Sequence, residues 1–112
     1  MVVREALSDD DVDRLFRALA DATRRDIVRR TLVDDASISE LAASYDMSFA
    51  AVQKHVAVLG EARLVTKETR GRERIVRADP ARIARARELL TSLEELWLAR
   101  FGQLDDVLAG PT

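Results

Sequence analysis

The chain has 112 residues, 47% apolar and 34% charged, with a net charge of −2. That suffices for the core of one domain, and no run of about eighteen apolar residues is present to span a membrane. There is no cysteine and a single histidine, His55, which excludes disulfides, thiolate metal sites and a cysteine nucleophile, and leaves too few ligands for an ordinary zinc site. No metal and no cofactor is therefore expected. The N-terminus MVVREALSDDD turns acidic within ten residues, the reverse of a secretion signal, so a cytoplasmic protein is expected.

Asp9, Asp10 and Asp11 suit the start of a first helix, whose stripe is Val12, Leu15, Phe16 and Leu19. Asp21 fits the N-cap of a second helix, with Ile27, Val28 and Leu32 inward and Arg24, Arg25, Arg29 and Arg30 largely outward. Ser39 reads as the cap of a third, short helix, with Ile38 as its hydrophobic staple and Leu41, Ala42 and Tyr45 along it. After a tight turn, Ser48 caps a fourth helix. Two short helices joined in this way read as a helix-turn-helix over 39–62. The hydrophobic period then changes from 3.6 to 2. Two strands over 65–77, around Arg70-Gly71-Arg72, form a hairpin with Gly71 in its turn. Asp79-Pro80 opens a long closing helix, in which Ile83, Ala86, Leu90, Leu93, Trp97, Phe101, Leu104 and Leu108 recur at threes and fours. Gly102 is a point where it could bend.

The fold expected is one domain over 1–112, mainly α with a small β-hairpin: four helices, two strands and a last helix, the order of a winged helix-turn-helix. A domain of this size cannot cover so long an apolar stripe alone, and a second copy of the chain is the simplest remedy. Helices over 9–20 and 80–108 are the expected homodimer surface, through Leu15, Leu19, Leu90, Leu93, Trp97, Phe101 and Leu104.

Charge is unevenly spread. Between Ser48 and Arg77 basic residues outnumber acidic ones seven to three, whereas over the first 21 residues acids outnumber bases six to three. One region suits a polyanion and the other does not. On the fourth helix, with Val52, Val56 and Leu59 inward, Ala50, Gln53, Lys54 and Ala57 point outward, with Ser48 and His55 on one shoulder and Phe49 on the other. Small alanines let a backbone approach a duplex major groove. Gln can pair with an adenine edge and Lys with guanine or phosphate, while Ser48 and the first amides can hold a phosphate. Each residue also has a plainer reading: a solvated face for Gln53 and Lys54, packing for Phe49, a cap for Ser48, a half-buried filler for His55. Lys67, Arg70, Arg72 and Arg74 are less easily dismissed, because charges crowded in a tight turn repel one another until a phosphate row or a minor groove relieves them.

The segments FRALADATRRDIV, SISELAASYDMSFAAVQKHVAVLGEARLV, TRGRERIVRADP and LEELWLARFGQLDDVL together resemble the ArsR family of bacterial winged helix-turn-helix repressors, in the subgroup without metal-sensing cysteines. The likeness spans nearly the whole chain. Ala22 stands where the family usually has proline, Gln53 where it commonly has serine, Phe49 where a polar residue or proline is usual, and Arg63 where glycine is frequent. The resemblance implies a homodimer that binds double-stranded DNA at a near-palindromic operator, blocks transcription, and is released by an unidentified effector other than a soft metal. The competing reading is a protein-binding module that works through its acidic and apolar terminal helices. An enzyme is not expected: Ser48 and His55 lie too far apart along a helix to pair, and neither a nucleophile elbow nor a glycine-rich phosphate loop is present.

Overall fold

The computed structural model describes residues 7–109, with side chains as far as Gly102. The elements are α1 (Asp9–Leu19), α2 (Ala22–Val33), β1 (Ala36–Ser37), α3 (Ile38–Ala43), α4 (Phe49–Glu61), β2 (Val65–Arg70), β3 (Glu73–Ala78) and α5 (Pro80–Ala109). This is the expected winged helix-turn-helix order with one addition, the two-residue strand β1. It pairs antiparallel with β3, Ala36 opposite Val76 and Ser37 opposite Ile75, and makes the hairpin a three-stranded sheet of order β1-β3-β2.

Each of the first four helices is started by a side chain that accepts a hydrogen bond from an amide three residues on: Ser8 from Asp11, Asp21 from Arg24, Ser37 from Glu40 and Ser48 from Ala51. The third of these corrects the sequence reading. Ser37, not Ser39, caps α3, and Ile38 is its first residue rather than a staple. Three residues after Ser37 stands Glu40, whose carboxylate accepts from the Ser37 amide at 3.4 Å and closes a capping box. Ser39 has Ala42 at the same offset and could close none. At the start of α5, Asp79 Oδ1 accepts from the Ala81 amide at 3.0 Å, ahead of a helix that continues unbroken through Gly102.

The core is centred on Leu15, Ile27, Leu41, Val52, Val56, Leu59, Leu64 and Val76, each at most 2% exposed. Leu32, expected inward, is 46% exposed, and Thr31 takes the buried place beside Ile27 and Val28. The threonine hydroxyl donates to the carbonyls of Ile27 (2.7 Å) and Val28 (3.2 Å), so its burial leaves no polar group unsatisfied.

Two turns place the wing. After α4 the chain reverses through Arg63, at φ 61°. The Arg63 amide donates to Gly60 O and the Leu64 amide to Leu59 O, both at 3.0 Å, which is a Schellman motif with Leu59 and Leu64 buried beneath it. At the wing tip Arg70 pairs with Glu73, leaving Gly71 (φ 60°) and Arg72 as the loop. A positive φ at the first loop position alone matches the type II′ hairpin turn.

The turn after α4 calls for opposite substitutions at two nearby positions, each with a gain in stability. A Cβ on Gly60 would meet only Lys67 Cε, at 3.9 Å, so Gly60→Ala should stabilise by about 0.8–1 kcal/mol through helix propensity. Arg63→Gly should relieve about 1 kcal/mol of left-handed strain, partly offset by the freer unfolded chain, for a net gain of about 0.5 kcal/mol. Urea unfolding of both variants checks this; a loss of stability in either would contradict the geometry described.

Candidate nucleic-acid interface

Helix α4 separates two environments along its length. Val52, Val56 and Leu59 are fully buried, while Ala50, Gln53, Lys54 and Ala57 are exposed. Phe49 is 47% exposed at the start of the helix, too open for a core residue. Ser48 is exposed as well, its hydroxyl accepting from the Ala51 amide at 3.1 Å.

His55 is held on the shoulder between the two faces. Its Nδ1 lies 3.3 Å from Arg24 Nη1 and 3.9 Å from Asp21 Oδ2. An arginine cannot accept a hydrogen bond, so in the contact with Arg24 it is Nδ1 that accepts, an arrangement that puts the ring proton on Nε2. Asp21 is engaged twice, as the cap of α2 and as a neighbour of His55. The hydrogen bond from the Arg24 amide is the first cause that lowers its carboxyl below the usual range.

Arg24 departs from the outward placement read in the sequence. It is partly buried, with Nε donating to Ala18 O at 2.7 Å and Nη2 to Arg17 O at 3.0 Å. Arg25 Nη1 donates to Leu19 O at 2.7 Å. The last carbonyls of α1 lack the next turn of helix as partners; the Ala20 amide reaches Arg17 O at 3.2 Å, and two guanidinium groups from α2 supply the further bonds. Sequence reading missed this bracing role; an Arg pair directly after a helix end and an Asp cap is the signal for it.

A second brace sets α3 against α2. Tyr45 Oη donates to Asp26 Oδ2 at 2.5 Å, Arg30 Nε reaches the same oxygen at 2.8 Å, and the Arg30 guanidinium lies 5.3 Å from the Tyr45 ring centroid. The hydrogen bond from Tyr45, then that from Arg30, holds the Asp26 carboxyl low. Burial first, and the bond to Asp26 second, pushes the Tyr45 hydroxyl up to about 12.

The wing cations divide by register. Lys67 faces Val76 and Thr69 faces Arg74 across the ladder, so Lys67 and Arg74 share the face that carries buried Val76. Lys67 runs its stem past Gly60 of α4. Arg70 lies on the opposite face, 3.4 Å from Glu68, and Arg72 occupies the tip. Among the described residues, Lys54, Lys67, Arg72 and Arg74 have no ion-pair partner. At the wing base Arg77 grips Asp35 with two bonds, Nε to Oδ1 at 2.9 Å and Nη2 to Oδ2 at 2.7 Å.

At the other end of the molecule, Ala86 (7% exposed) and Ile83 seat the first turns of α5 on the core. Beyond them the helix carries Leu90, Leu93, Leu96, Trp97, Leu98 and Phe101, each between 49% and 69% exposed. Trp97 and Phe101 pack ring against ring at 5.8 Å. Leu96 and Leu98 broaden this surface beyond the expected stripe. Leu104 and Leu108 lie outside the described side chains. Leu15, expected at the dimer surface, is 1% exposed and belongs to the protomer's own core, and Leu19 is half-buried against that core. Phe16, 36% exposed, is what α1 presents instead. No helix of the described residues is long and apolar enough to cross a membrane.

A helix-turn-helix with one bare helical face and a cation-tipped hairpin beside it defines a winged-helix DNA-binding regulator. The comparisons agree. The chain is 39% identical over 97 residues to the HTH-type transcriptional regulator Rv2034 of Mycobacterium tuberculosis, covering 84% of this chain and 88% of that protein. An ArsR-like transcriptional regulator from Rhodococcus sp. RHA1 superimposes with a TM-score of 0.81 at 27% identity, over 92% of this chain and 94% of that one. A winged helix-turn-helix DNA-binding domain from Mycobacterium bovis, described as homodimeric, shares the fold with a TM-score of 0.63 at 20% identity, over 82% of this chain and 91% of that one. No family model matches the chain. The chain belongs to the ArsR family of transcriptional regulators; these relatives are not enzymes.

The Tyr45 brace carries a pH signature. Asp26 titrates lower in the folded chain than unfolded, so its contribution is complete above about pH 4 and is lost as acid protonates it. Tyr45 titrates higher when folded, so its contribution holds below about pH 10 and fades as pH rises further. Tyr45→Phe should therefore cost about 1 kcal/mol at neutral pH. The gap from wild type should narrow near pH 3. Urea midpoints at the two pH values measure it, and a gap that stays constant on acidification would exclude the Tyr45–Asp26 bond as its source.

Proposed function

We propose that the chain is a cytoplasmic, homodimeric repressor that binds a near-palindromic operator. In this reading α4 lies in the major groove and the wing lies on the flanking backbone or minor groove. The observation that carries the reading is the two-sided character of α4: Gln53 and Lys54 stand free on a rod whose opposite face is wholly buried. Gln53 reads a base edge, and Lys54 a guanine or a phosphate. Ser48, the first amides of α4 and the Nε2–H of His55 meet phosphate. Ala50 permits close approach, and Phe49 contacts the groove wall. Arg72 and Arg74 extend the contact outward, with Lys67 and Arg70 adding charge to the wing. A partner copy covers the exposed stripe of α5 and so places two recognition helices about 34 Å apart, one duplex turn.

Promoter DNA titrated at several salt concentrations tests the reading. Affinity should fall by about a thousandfold or more between about 50 and 200 mM salt if six or more phosphates are contacted. Gln53→Ala should lose about 1–3 kcal/mol of base discrimination. Arg72→Ala should weaken all duplexes alike and reduce the salt slope by about one. Salt-insensitive binding, or unchanged binding in both variants, would remove the groove assignment.

The dimer is tested separately. Leu93→Glu combined with Trp97→Glu places charge in the exposed stripe and should yield monomers in sedimentation, together with loss of operator binding. A dimer that persists through both changes would mean that another surface joins the copies.

A further inference from the structure

Arg82 sits in the first turn of α5, yet its side chain is only 12% exposed. Its Nε donates to the Ala62 carbonyl at 3.2 Å, and its Nη2 lies 3.4 Å from Asp11 Oδ1. Ala62 is the C-cap of α4. The last carbonyls of a helix have no partner within it, and a cation at that end is favoured by the helix dipole. Asp11 belongs to the first turn of α1, where the Ser8 hydroxyl accepts from its amide at 3.1 Å. One guanidinium thus joins the closing helix, the first helix and the end of the recognition helix.

We propose that Arg82 is a positioning residue for DNA recognition: it sets the tilt of α4 against the α1–α5 scaffold, and through that tilt the half-site spacing that the dimer accepts. The proposal rests on the DNA-binding homodimer reading above. The core holds α4 through Val52, Val56 and Leu59, with Ala62 and Leu64 buried at its end, but apolar burial is non-directional and does not by itself set tilt. The C-terminal end leads directly into the left-handed residue Arg63, and the turn is tied to the start of α5 at one point, where the Asp79 amide donates to Leu64 O at 2.9 Å. Arg82 adds a bond to the cap of α4 itself and the link from there to α1. Its leverage is appreciable. At ~1.5 Å per residue α4 is about 20 Å long, so a slack of about 10° moves one end by about 3.5 Å, close to the rise of one base pair. The geometry calls for arginine. Two donors held at a fixed angle meet a carbonyl and a carboxylate together, whereas a lysine ammonium is a single point and a glutamine amide has no charge for Asp11.

The test uses the full chain. Operators are selected from a random duplex library with wild-type protein, then rebuilt with the spacer between half-sites one base pair shorter or longer. Wild type should lose about tenfold or more in affinity at either altered spacing, the loss that misplacing a base contact brings. Arg82→Gln should bind the parent operator more weakly and separate the three spacings by less than about threefold. Arg82→Lys should flatten the profile likewise. Asp11→Asn, which keeps the bond to Ala62, should fall between Arg82→Gln and wild type. Circular dichroism and sedimentation establish that each variant is folded and dimeric, and if Arg82→Gln does not fold, Arg82→Lys and Asp11→Asn carry the test. Folded dimeric variants that lose affinity equally at all three spacings, or lose none, would show that Arg82 merely stabilises the fold and would overturn the proposal. A wild-type chain that selects no spaced palindrome would remove the parent reading, and this one with it, before any variant is measured.

Discussion

The surface proposed for recognition on α4 depends on the burial of that helix's other face. Val52, Val56 and Leu59 are 0% exposed, and each contributes about 1.5–3 kcal/mol by leaving water. That contribution anchors a rod whose other side need contribute nothing to stability. Gln53 and Lys54 are free to serve recognition because the inner face already holds the helix. Alanines at 50 and 57 keep the outer surface narrow while adding helix propensity.

The helix ends show how a domain with a small core positions its parts. Four side-chain caps begin four helices. Guanidinium groups finish two of them: Arg24 and Arg25 on the last carbonyls of α1, and Arg82 on the last of α4. A positive side chain from a neighbouring helix satisfies an orphan carbonyl and fixes an interhelical distance in the same contact. Hydrophobic burial alone is non-directional and would leave such distances loose. The Tyr45–Asp26–Arg30 cluster and the Arg77–Asp35 pair do the same for α3 and for the base of the wing. Much of the chain's basic content is thus structural. Lys54, Lys67, Arg72 and Arg74, which have no ion-pair partner among the described residues, are the cations of α4 and the wing left to meet a polyanion.

Local chemistry made the architecture readable before any coordinates. The period change after Leu64, the serine ahead of α4 and the proline at the start of α5 are signals carried by a few adjacent residues, and the elements fall where those signals put them. What escaped reading depends on partners distant in sequence. β1 is two residues long, too short to show a period, and exists because β3 offers an edge. Leu15 and Phe16 are neighbours on one apolar stripe; only the packed helices decide that Leu15 enters the core and Phe16 does not. Leu32 and Thr31 pose the same choice on α2, and a threonine that bonds its own backbone takes the inner place. Arg24 reads as a surface cation until the end of α1 is brought against it. The Ser37 cap is different in kind: its Ser-x-x-Glu pattern was present in the sequence and outweighs the Ser39 alternative on local grounds. Of the candidate site, the exposed face of α4 was legible from helical phase alone. The division of the wing cations between two faces follows from a strand register that the sequence does not display.

In the proposed dimer, the outer half of α5 makes shape depend on concentration. Between Leu90 and Phe101 the helix has little contact with its own chain, and its large apolar side chains stand about half exposed or more. A helix without tertiary packing is marginal in water, since propensity alone barely offsets the cost of ordering it. In the proposed dimer that cost is met when two copies bury their stripes against one another, so the helical order of this segment and the association of the chains are a single equilibrium. Stability then rises with protomer concentration. In that reading the spacing between recognition helices is defined only in the assembled state, and a change in how α5 packs would reach α4 through the contact that Arg82 makes with it.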